Sequence, residues 1–511
     1  MIHNRFTQWL LIVSPSIILA AGAQAQSIAV PWSGLGHGPQ HAAIAMTGVQ
    51  TLNRIEWQTP VDLDPQYSGN DLYIHYGSPI ITRANTLVIP VKTGAWGGFR
   101  VEGHVATTGS LVWMQPTDYI LPAHDWIPSC GIAITPANAV YFPGAGGTVY
   151  YRDSVDAATT GTGQIAFYGL GNYLANEAGY QADVQINTPL TCDRYGDVFF
   201  GFEVSGTTLG LQSGIARIDS SGTGTWISAA TATGDSTIQK VVMNCAPALS
   251  NDHKTLYVTV NDGSGDSAGG YLLSLDSRTL APISKVRLKD VAYPTEDANL
   301  PDDGTASPTI GPDGDVYIGV LEYGFPYDNN DRGWMLHFDS TLAATKIPGA
   351  FGWDDTPSIV PAAAVPSYSG TSAYLILTKY NNYAGLGSGN GVNKVAVLDP
   401  NTSETDPVSG QTTMNEVITV TGVTPDPNND SEFPDAVREW CINSAVIDPV
   451  TKCAIVNSED GNVYRWDFTT NSLRQAVTLS SGVGEAYTPS LSGTDGTAYV
   501  INNAQVFAIG Q

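Results

Sequence analysis

The sequence predicts an all-β protein, an eight-bladed β-propeller whose four-stranded antiparallel blades are closed by the amino-terminal strand. Three observations lead to this prediction. The composition is turn-rich, with 54 Gly and 31 Pro. A short phrase recurs eight times along the chain. The last repeat is one strand short, and a matching strand stands near the beginning of the chain.

The repeated phrase combines a small or polar residue with proline, a short apolar stretch, a turn and a β-branched or aromatic strand. Residues 77–82 followed by 86–89 are its first copy. Further copies with proline begin at Thr188, Ala246, Ser307, Thr356 and Thr488, and two copies without it begin at Cys130 and Ser444. Repeats of about 45 to 60 residues, with four strands each, are typical of propeller blades.

A second hairpin follows each phrase, and its first strand commonly ends in aspartate. The copies are Asp219, Asp276, Asp339, Asp399 and Asp467. Because an aspartate can accept a hydrogen bond from the backbone two residues on, we predict a turn-closing role for these side chains. Trp113 and Trp226 end the fourth strands of their units, where a large ring is expected to pack one blade on the next.

Ring closure follows from the two ends of the mature chain. The unit that begins at Pro489 supplies only three strands, and residues 52–57 carry the missing strand with its tryptophan. We expect these residues to pair with residues 505–509 and so remove an exposed sheet edge. A Pro/Asp/Asn-rich insertion near residues 400–440 is interpreted as a long loop and not as a ninth blade.

The amino end predicts export. Arg5, an apolar run from Trp9 to Ala21 and the sequence Ala23-Gln24-Ala25 are typical of a signal peptide covering residues 1–25, with one propeller domain over 26–511. An uncleaved anchor is the alternative. The expected product is a periplasmic or secreted protein, a monomer with no membrane span. The net charge of -26 disfavours nucleic acid and anionic membranes as partners, and suits either simple solubility or contact with cations.

The five cysteines form no CxxC pair and no zinc-ribbon spacing. An exported protein can hold disulfides, but the odd count leaves at least one thiol over. A hairpin turning at residues 448–452 would place Cys453 opposite Ile447, too far from Cys441 for a bond. We therefore expect most of the five to be buried and free.

The Ser-Pro phrase, the strand ending in aspartate, the Gly-x-x-x-Trp close and the opening sequence of residues 32–41 resemble PQQ-binding-like propeller repeats. The resemblance covers nearly all of the mature chain. It implies the quinoprotein alcohol dehydrogenase-like fold, whose members include PQQ- and Ca²⁺-dependent dehydrogenases and scaffold proteins without a cofactor. Several of those dehydrogenases stack an adjacent Cys-Cys disulfide on the quinone, and this chain has no such dipeptide.

Propellers bind ligands at one mouth of the axial channel, formed by residues that precede each innermost strand and by the loops between second and third strands. In this sequence those loops contribute Lys92, Trp96 and residues 323–332 and 379–383. The predicted ligand-binding residues are His75, His124, Asp125, Trp126, Lys240, Trp353, Asp354, Asp355, Arg438, Glu439, Trp440, Glu485 and Tyr487. Three triplets stand out because each joins an indole to a charge: residues 124–126, 353–355 and 438–440. Such groups suit a planar or sugar-like ligand, although packing of the indoles in loops is an equal alternative.

Metal and catalytic motifs are weak. Residues 328–333 partly match a calcium loop, but Arg332 occupies a ligand position. Asp426, Asn428, Asp430 and Glu432 alternate in the insertion and are more typical of a solvated loop. No catalytic residue and no metal ligand is assigned, and no GxSxG or HExxH motif occurs.

Two functional hypotheses remain. The first is a non-catalytic binding or scaffold propeller that takes a small molecule, a glycan or a protein partner at the channel mouth. The second is a quinoprotein dehydrogenase of alcohols or sugars, with PQQ and Ca²⁺ as possible cofactors and Arg438 or Lys240 near the PQQ carboxylates. The missing Cys-Cys pair favours the first, and fold alone does not decide between them.

Overall fold

The computed structural model describes residues 32–74, 76–123, 130–304, 306–324, 328–427, 431–485 and 489–511. Their main elements are eight antiparallel sheets, numbered here as blades 1 to 8 in chain order. The predicted signal peptide lies outside the described residues. Among the helices of the described part, none is both long and apolar enough to cross a bilayer.

Blades 1 to 4 are built from consecutive strands. Blade 1 contains Ile80–Ile81, Thr86–Gly94, Gly97–Val105 and Leu111–Thr117. Blade 2 contains Ala133–Ile134, Val140–Pro143, Thr148–Arg152 and Thr162–Ala166. Blade 3 contains Val184–Ile186, Thr191–Cys192, Val198–Val204, Gly214–Ile218 and Gly224–Ser228. Blade 4 contains Lys240–Val241, Ala248–Leu249, Thr255–Asn261, Gly270–Asp276 and Pro282–Arg287.

Blades 5 to 8 complete the ring. Blade 5 contains Thr309–Ile310, Val316–Val320 and Trp334–Phe338. Blade 6 contains Ser358–Pro361, Tyr374–Tyr380, Lys394–Thr405 and Thr412–Thr421. Blade 7 contains Val446–Asp448, Cys453–Asn457, Asn462–Asp467 and Ser472–Thr478. Blade 8 contains Ser490–Ser492, Ala498–Asn502, Gln505–Gly510 and the early strand Arg54–Pro60.

The remaining elements are short. A two-stranded hairpin pairs Gln66–Ser68 with Asp71–Tyr73. The α-helices are Leu170–Ala175, Glu177–Asp183 and Ala229–Thr233, and the 3-10 turns are Leu35–His37, Ala145–Gly147, Gly265–Ser267 and Ala362–Ala364. Apart from Leu35–His37, which precedes the first strand, these elements lie between the strands of the blades, so the blades supply the framework.

The predicted closure of the ring is confirmed. Arg54–Pro60 pairs antiparallel with Gln505–Gly510, with Arg54 opposite Gly510 and Pro60 opposite Gln505. The strand begins two residues later than predicted and extends to Pro60. Its pairing covers the outer edge of the last sheet, which would otherwise be free to pair with another chain.

Blade 5 departs from four regular strands. Its outer position is taken by residues 345–349, which make only two isolated bridges, Met335 to Gly349 and Phe338 to Thr345. The long hairpin of blade 6 reaches over this irregular edge, where the backbone N–H of Met414 donates to the carbonyl of Pro348 at 2.7 Å. Much of the predicted insertion near residues 400–440 is this hairpin, which adds to a blade instead of looping out.

The turn-closing aspartates act as predicted. Asp219 accepts hydrogen bonds from the backbone N–H groups of Ser221 and Thr223, each at 2.9 Å. Asp276, Asp399 and Asp467 accept from the residue two positions on, while Asp339 accepts from the backbone N–H of Ala343 and Ala344. The hydroxyl of Ser221 and the backbone N–H groups of Ser221 and Thr223 lower the pKa of Asp219.

The cysteines are buried and free, as predicted. The predicted register at residues 448–452 was wrong by one position, because Cys453 pairs with Asp448 and not with Ile447. Asp448 starts the turn by accepting from the N–H groups of Val450 and Thr451. This shortens the loop by one residue relative to the expected one.

One end of the axis is crossed by the opening segment, residues 32–45. Six innermost strands each donate a backbone N–H to it, from Ile81, Ile134, Leu249, Ile310, Ile359 and Ile447 to the carbonyls of Trp32, Ser33, Pro39, Gln40, Ala42 and Ala43. His41 is buried and its Nδ1 lies 2.6 Å from the carbonyl of Pro308. The segment therefore ties most of the blades together at the end where the innermost strands finish.

Candidate functional site

The opposite end of the axis, called here the mouth, carries the loops that precede each innermost strand and the loops between second and third strands. Antiparallel order puts both sets of loops at the same end. The predicted site residues of the first set should therefore meet side chains from the second set. The described residues bear this arrangement out in blades 5 to 7.

Six carboxyl groups from these blades interact electrostatically at the mouth and are called the carboxylate cluster: Asp303, Asp331, Asp354, Asp355, Glu439 and Glu459. Lys379, at the end of the second strand of blade 6, is only 3% exposed. Its Nζ lies 3.7 Å from Oδ2 of Asp354. Arg438 is farther out, with Nη1 4.0 Å from Oε2 of Glu459. Carboxyl groups thus outnumber the cations that face them.

Burial raises the pKa of three of these groups into the neutral range. The pKa of Asp355 rises to about 7, with Lys379 opposing the rise. The pKa of Asp331 rises to about 7, from burial and then the charge of Glu322. The pKa of Asp303 rises to about 6, from burial and then the charge of Asp354. Removing carboxylates from water without enough positive partners disfavours their charged forms.

Glu439 and Glu459 form the part of the cluster nearest blade 7. Burial raises the pKa of both, and the charge of Glu459 raises that of Glu439 further. The thiol of Cys441 donates to Glu459 and lowers the pKa of that carboxyl in part. The two glutamates therefore share a site in which a bound cation would favour ionisation of both.

Hydrogen-bond acceptors remain unused at the mouth. Oδ2 of Asp355 and Oδ1 of Asp303 are buried and have no hydrogen-bond partner among the described residues. Asp355 is only 1% exposed. Beside them the indole of Trp353 is half-buried and approaches Gly304. The mouth thus combines an aromatic surface with orphaned acceptor oxygens, which a donor-bearing ligand would satisfy.

Lys240 lies apart from the cluster, in a groove of about 770 Å³ between blades 3 and 4. Its Nζ contacts Oδ2 of Asp302 at 2.5 Å and Oε2 of Glu203 at 3.5 Å. Although burial lowers the pKa of Lys240, these two carboxylates raise it by more. The ammonium group of Lys240 is therefore already paired with two carboxylates.

Two other predicted residues are buried and hydrogen-bonded to neighbouring residues. Trp440 is 1% exposed, donates from Nε1 to the carbonyl of Asn393 and packs edge-on against Tyr464. Glu485 accepts a hydrogen bond from the hydroxyl of Tyr76 and another from the N–H of Asn503 at 2.9 Å. Burial raises the pKa of Glu485 to about 8. The other predicted residues, His75, His124, Asp125, Trp126 and Tyr487, lie outside the described residues.

Lys379, Asp331 and Glu459 complete the cluster from the ends of second strands and the loops after them. The loops that contain Lys379 and Asp331 were expected at the mouth, but neither side chain was assigned as ligand-binding, and Glu459 was not predicted. One further signal was available for Lys379. Lys379 is a lysine inside Tyr374–Tyr380, a strand whose residues are otherwise apolar except Thr378.

Residues 328–333, which partly match a calcium loop, surround a carboxylate instead of a cation. The carboxylate of Glu322 lies within this loop and accepts from the backbone N–H groups of Asn329, Asp331 and Gly333, at 3.3, 2.7 and 2.6 Å. The loop therefore presents donors to an anion, whereas calcium requires oxygen ligands directed inward. Across the described ranges, no group of three or more histidine, cysteine, aspartate or glutamate side chains is arranged to hold a metal ion.

No family model and no curated protein matches the sequence. Solved structures do match in fold. One is a europium-containing methanol dehydrogenase, with a TM-score of 0.53 and 9% identity over 92% of this chain and 89% of the other. A second is the quinohemoprotein alcohol dehydrogenase from Comamonas testosteroni, with a TM-score of 0.54 and 11% identity over 94% of this chain and 81% of the other.

A third is the quinohemoprotein alcohol dehydrogenase ADHIIG from Pseudomonas putida HK5, with a TM-score of 0.52 and 13% identity over 94% and 76% of the two chains. This chain has the propeller fold of the quinoprotein alcohol dehydrogenases. The resemblance predicted from the repeats is confirmed at the level of fold. At this identity the PQQ-like propeller fold does not carry the activity of those enzymes with it.

The described mouth does not fit PQQ. PQQ is a tricarboxylate, and it would enter a cluster of six carboxyl groups whose cations, Lys379 and Arg438, already face carboxylates. The indole of Trp440 is enclosed by Asn393 and Tyr464 and offers no face for a quinone, whereas the half-buried indole of Trp353 does, so the misfit is one of charge. At the described mouth of this PQQ-like propeller, carboxyl oxygens outnumber the donors that face them, which favours a cation instead.

Proposed function

We propose that this protein is an exported, non-catalytic binding propeller whose mouth takes an organic cation. The observation that carries the proposal is the excess of partly protonated carboxyl groups around Lys379, with unused acceptor oxygens on Asp355 and Asp303. An ammonium or guanidinium group supplies both the positive charge and the donors that this site lacks.

Trp353 supports an aromatic or extended ligand. Its half-buried indole and Asp354 line the same small cavity, so a cation held by Asp354 would lie near the ring. Attraction between a cation and an indole face contributes about 0.5–2 kcal/mol. Export is proposed from the signal-like sequence of residues 1–25, and the acidic composition agrees with a protein that meets cations outside the cell.

The test compares three ligands of similar shape that differ in charge. Isothermal titration at pH 8 would compare 2-phenylethylamine, 2-phenylethanol and 3-phenylpropionate, which share a ring and differ in charge. We expect measurable binding of the amine, weaker binding of the alcohol and none of the carboxylate. Equal affinity for all three would show that charge does not select the ligand, and preference for the carboxylate would contradict the proposal.

A cofactor test runs beside it. The protein mixed with PQQ and Ca²⁺ and then desalted is expected to retain no quinone absorbance, since the mouth repels a tricarboxylate. Retention of the cofactor, with dye-linked oxidation of an alcohol or sugar, would establish the dehydrogenase hypothesis in place of this proposal.

A further inference from the structure

A second pocket, lined by none of the carboxylate-cluster side chains, lies between blades 5 and 6 and has a volume of about 360 Å³. This is within the range of roughly 300–1,000 Å³ found for small-molecule sites. Its walls come from the loop after the second strand of blade 6, from the long hairpin of that blade and from Arg332 of blade 5. It is called here the side pocket.

Two buried donors of the side pocket lack acceptors. The hydroxyl of Tyr380 and Nε of Arg332 have no hydrogen-bond partner within the described part of the chain. Tyr380 is 5% exposed and Arg332 is 2% exposed, so bulk water does not reach either group freely. An unsatisfied buried donor costs on the order of 1–3 kcal/mol, and two that line the same space indicate an acceptor-bearing occupant.

The surrounding contacts hold these two groups in place. Nη2 of Arg332 donates to the carbonyl of Ala350 at 2.7 Å and to Oδ1 of Asp406 at 3.0 Å. The guanidinium also lies over the ring of Tyr380, 5.2 Å from its centre. Asp406 is itself fixed by the N–H and hydroxyl of Ser409. The donors are therefore preorganised before any ligand enters.

The four charged side chains that line the side pocket balance one another, and Glu404 nearby adds one further carboxyl group. Asp406 neutralises Arg332, and the pocket also contains Lys394 and Glu416. Neither of these two side chains has a hydrogen bond or ion pair within the described ranges. Lys394 donates only, and Glu416 accepts only, so a group that both accepts and donates would satisfy all four side chains. A sugar hydroxyl is such a group.

We propose that the side pocket binds a neutral monosaccharide unit, with its hydroxyl oxygens accepting from Tyr380, Arg332 and Lys394 and one hydroxyl donating to Glu416. The apolar edge of the pocket, formed by Pro407, Val408 and Val392, contacts the C–H face of the sugar ring. This site shares no side chain with the carboxylate cluster and does not depend on the cation proposed there.

The test uses the full exported chain and the methyl glycosides of glucose, galactose and mannose. Saturation-transfer NMR is expected to detect at least one glycoside, and the Tyr380→Phe variant is expected to weaken that binding about tenfold through loss of one hydrogen bond from a buried donor. Tyr195→Phe is the matched control, since Tyr195 is 55% exposed in blade 3. It should bind as the wild type does.

Two results would overturn the proposal. One is the absence of binding by all three glycosides, which would mean that the orphaned donors do not select a sugar. The other is preferential binding of acetate or inorganic phosphate, which would assign the pocket to anions. Because Arg332 lies in a buried ion pair and its replacement risks misfolding, Glu416→Gln is the second variant, with a similar loss expected.

Discussion

The indole of Trp57 lies against the α-carbon of Gly109, where a Cβ atom would come within 2.6 Å of Cδ2 of the ring. Nε1 of Trp57 also donates to the carbonyl of Ala106 at 2.8 Å. Trp57 belongs to the strand that completes blade 8, and the other two residues lie in a turn of blade 1. The contact therefore joins the last blade to the first, and Trp113 repeats it by donating to Val155 of blade 2.

Replacing Gly109 by alanine should open this junction. The glycine has φ of +70°, and its Cβ would meet the ring, so we expect a loss of ~3 kcal/mol in the free energy of unfolding. Gly69→Ala is the control, because Gly69 has φ of +64° and open space around it, and should lose only ~1 kcal/mol. Urea denaturation measures both. Equal losses would mean that the Trp57 contact contributes nothing.

The carboxylate cluster should make stability depend on pH. A carboxyl group whose folded pKa is raised stabilises the fold below its ordinary pKa, and this contribution is lost as pH rises through the folded value. For Asp355 the window runs from 3.8 to about 7. The Asp355→Asn variant is therefore expected to gain unfolding free energy relative to the wild type at pH 8 and to gain little at pH 4. A difference that is constant across this range, in denaturation series at each pH, would contradict the raised pKa.

Lys379 should matter most when the cluster is ionised. Its charge lowers the pKa of Asp355 and Asp331 against the effect of burial. The Lys379→Met variant is expected to lose about 3–5 kcal/mol at pH 8, and less at pH 5, which lies below the raised pKa of Asp355 and of Asp331. Lys254→Met, at a side chain 77% exposed, is the control and should change little at either pH. A loss of the same size at both pH values would make Lys379 a packing residue only.

The thiols should be protected until the chain unfolds. All five cysteines are buried and free, and burial raises the pKa of Cys130 to about 12 and that of Cys245 to about 11. We expect slow reaction with a disulfide reagent in the native state and five reactive thiols in denaturant without reductant. Fewer than five would reveal a disulfide.

The repeated phrase and the orphan strand were enough to predict the blades and their closure, because local strand and turn patterns carry that information. The outer edge of blade 5 was not predictable in the same way. It is covered by a hairpin about 65 residues later in the chain, whose Met414 contacts Pro348. A long-range contact of this kind leaves no local pattern.

The site was predicted in part for a similar reason. Residues 353–355 lie at the mouth as expected, but Trp440 turns into the core although its neighbour Glu439 faces the cluster. Neighbouring side chains in extended backbone point to opposite sides, so the side chains of residues 438–440 do not form one continuous surface. Lys379 joins the cluster because the mouth loops of neighbouring blades meet around it, which no local pattern shows.

The most direct measurement is the affinity of the mouth for 2-phenylethylamine in the wild type and in Asp354→Asn, determined by calorimetry at pH 8. Asp354 has φ of +57°, which asparagine tolerates, so the substitution removes charge without straining the backbone. Glu177→Gln, on an exposed helix, is the control. We predict that Asp354→Asn weakens binding at least tenfold and that Glu177→Gln leaves it unchanged. Unchanged affinity in Asp354→Asn would contradict the assignment of the mouth as a cation site.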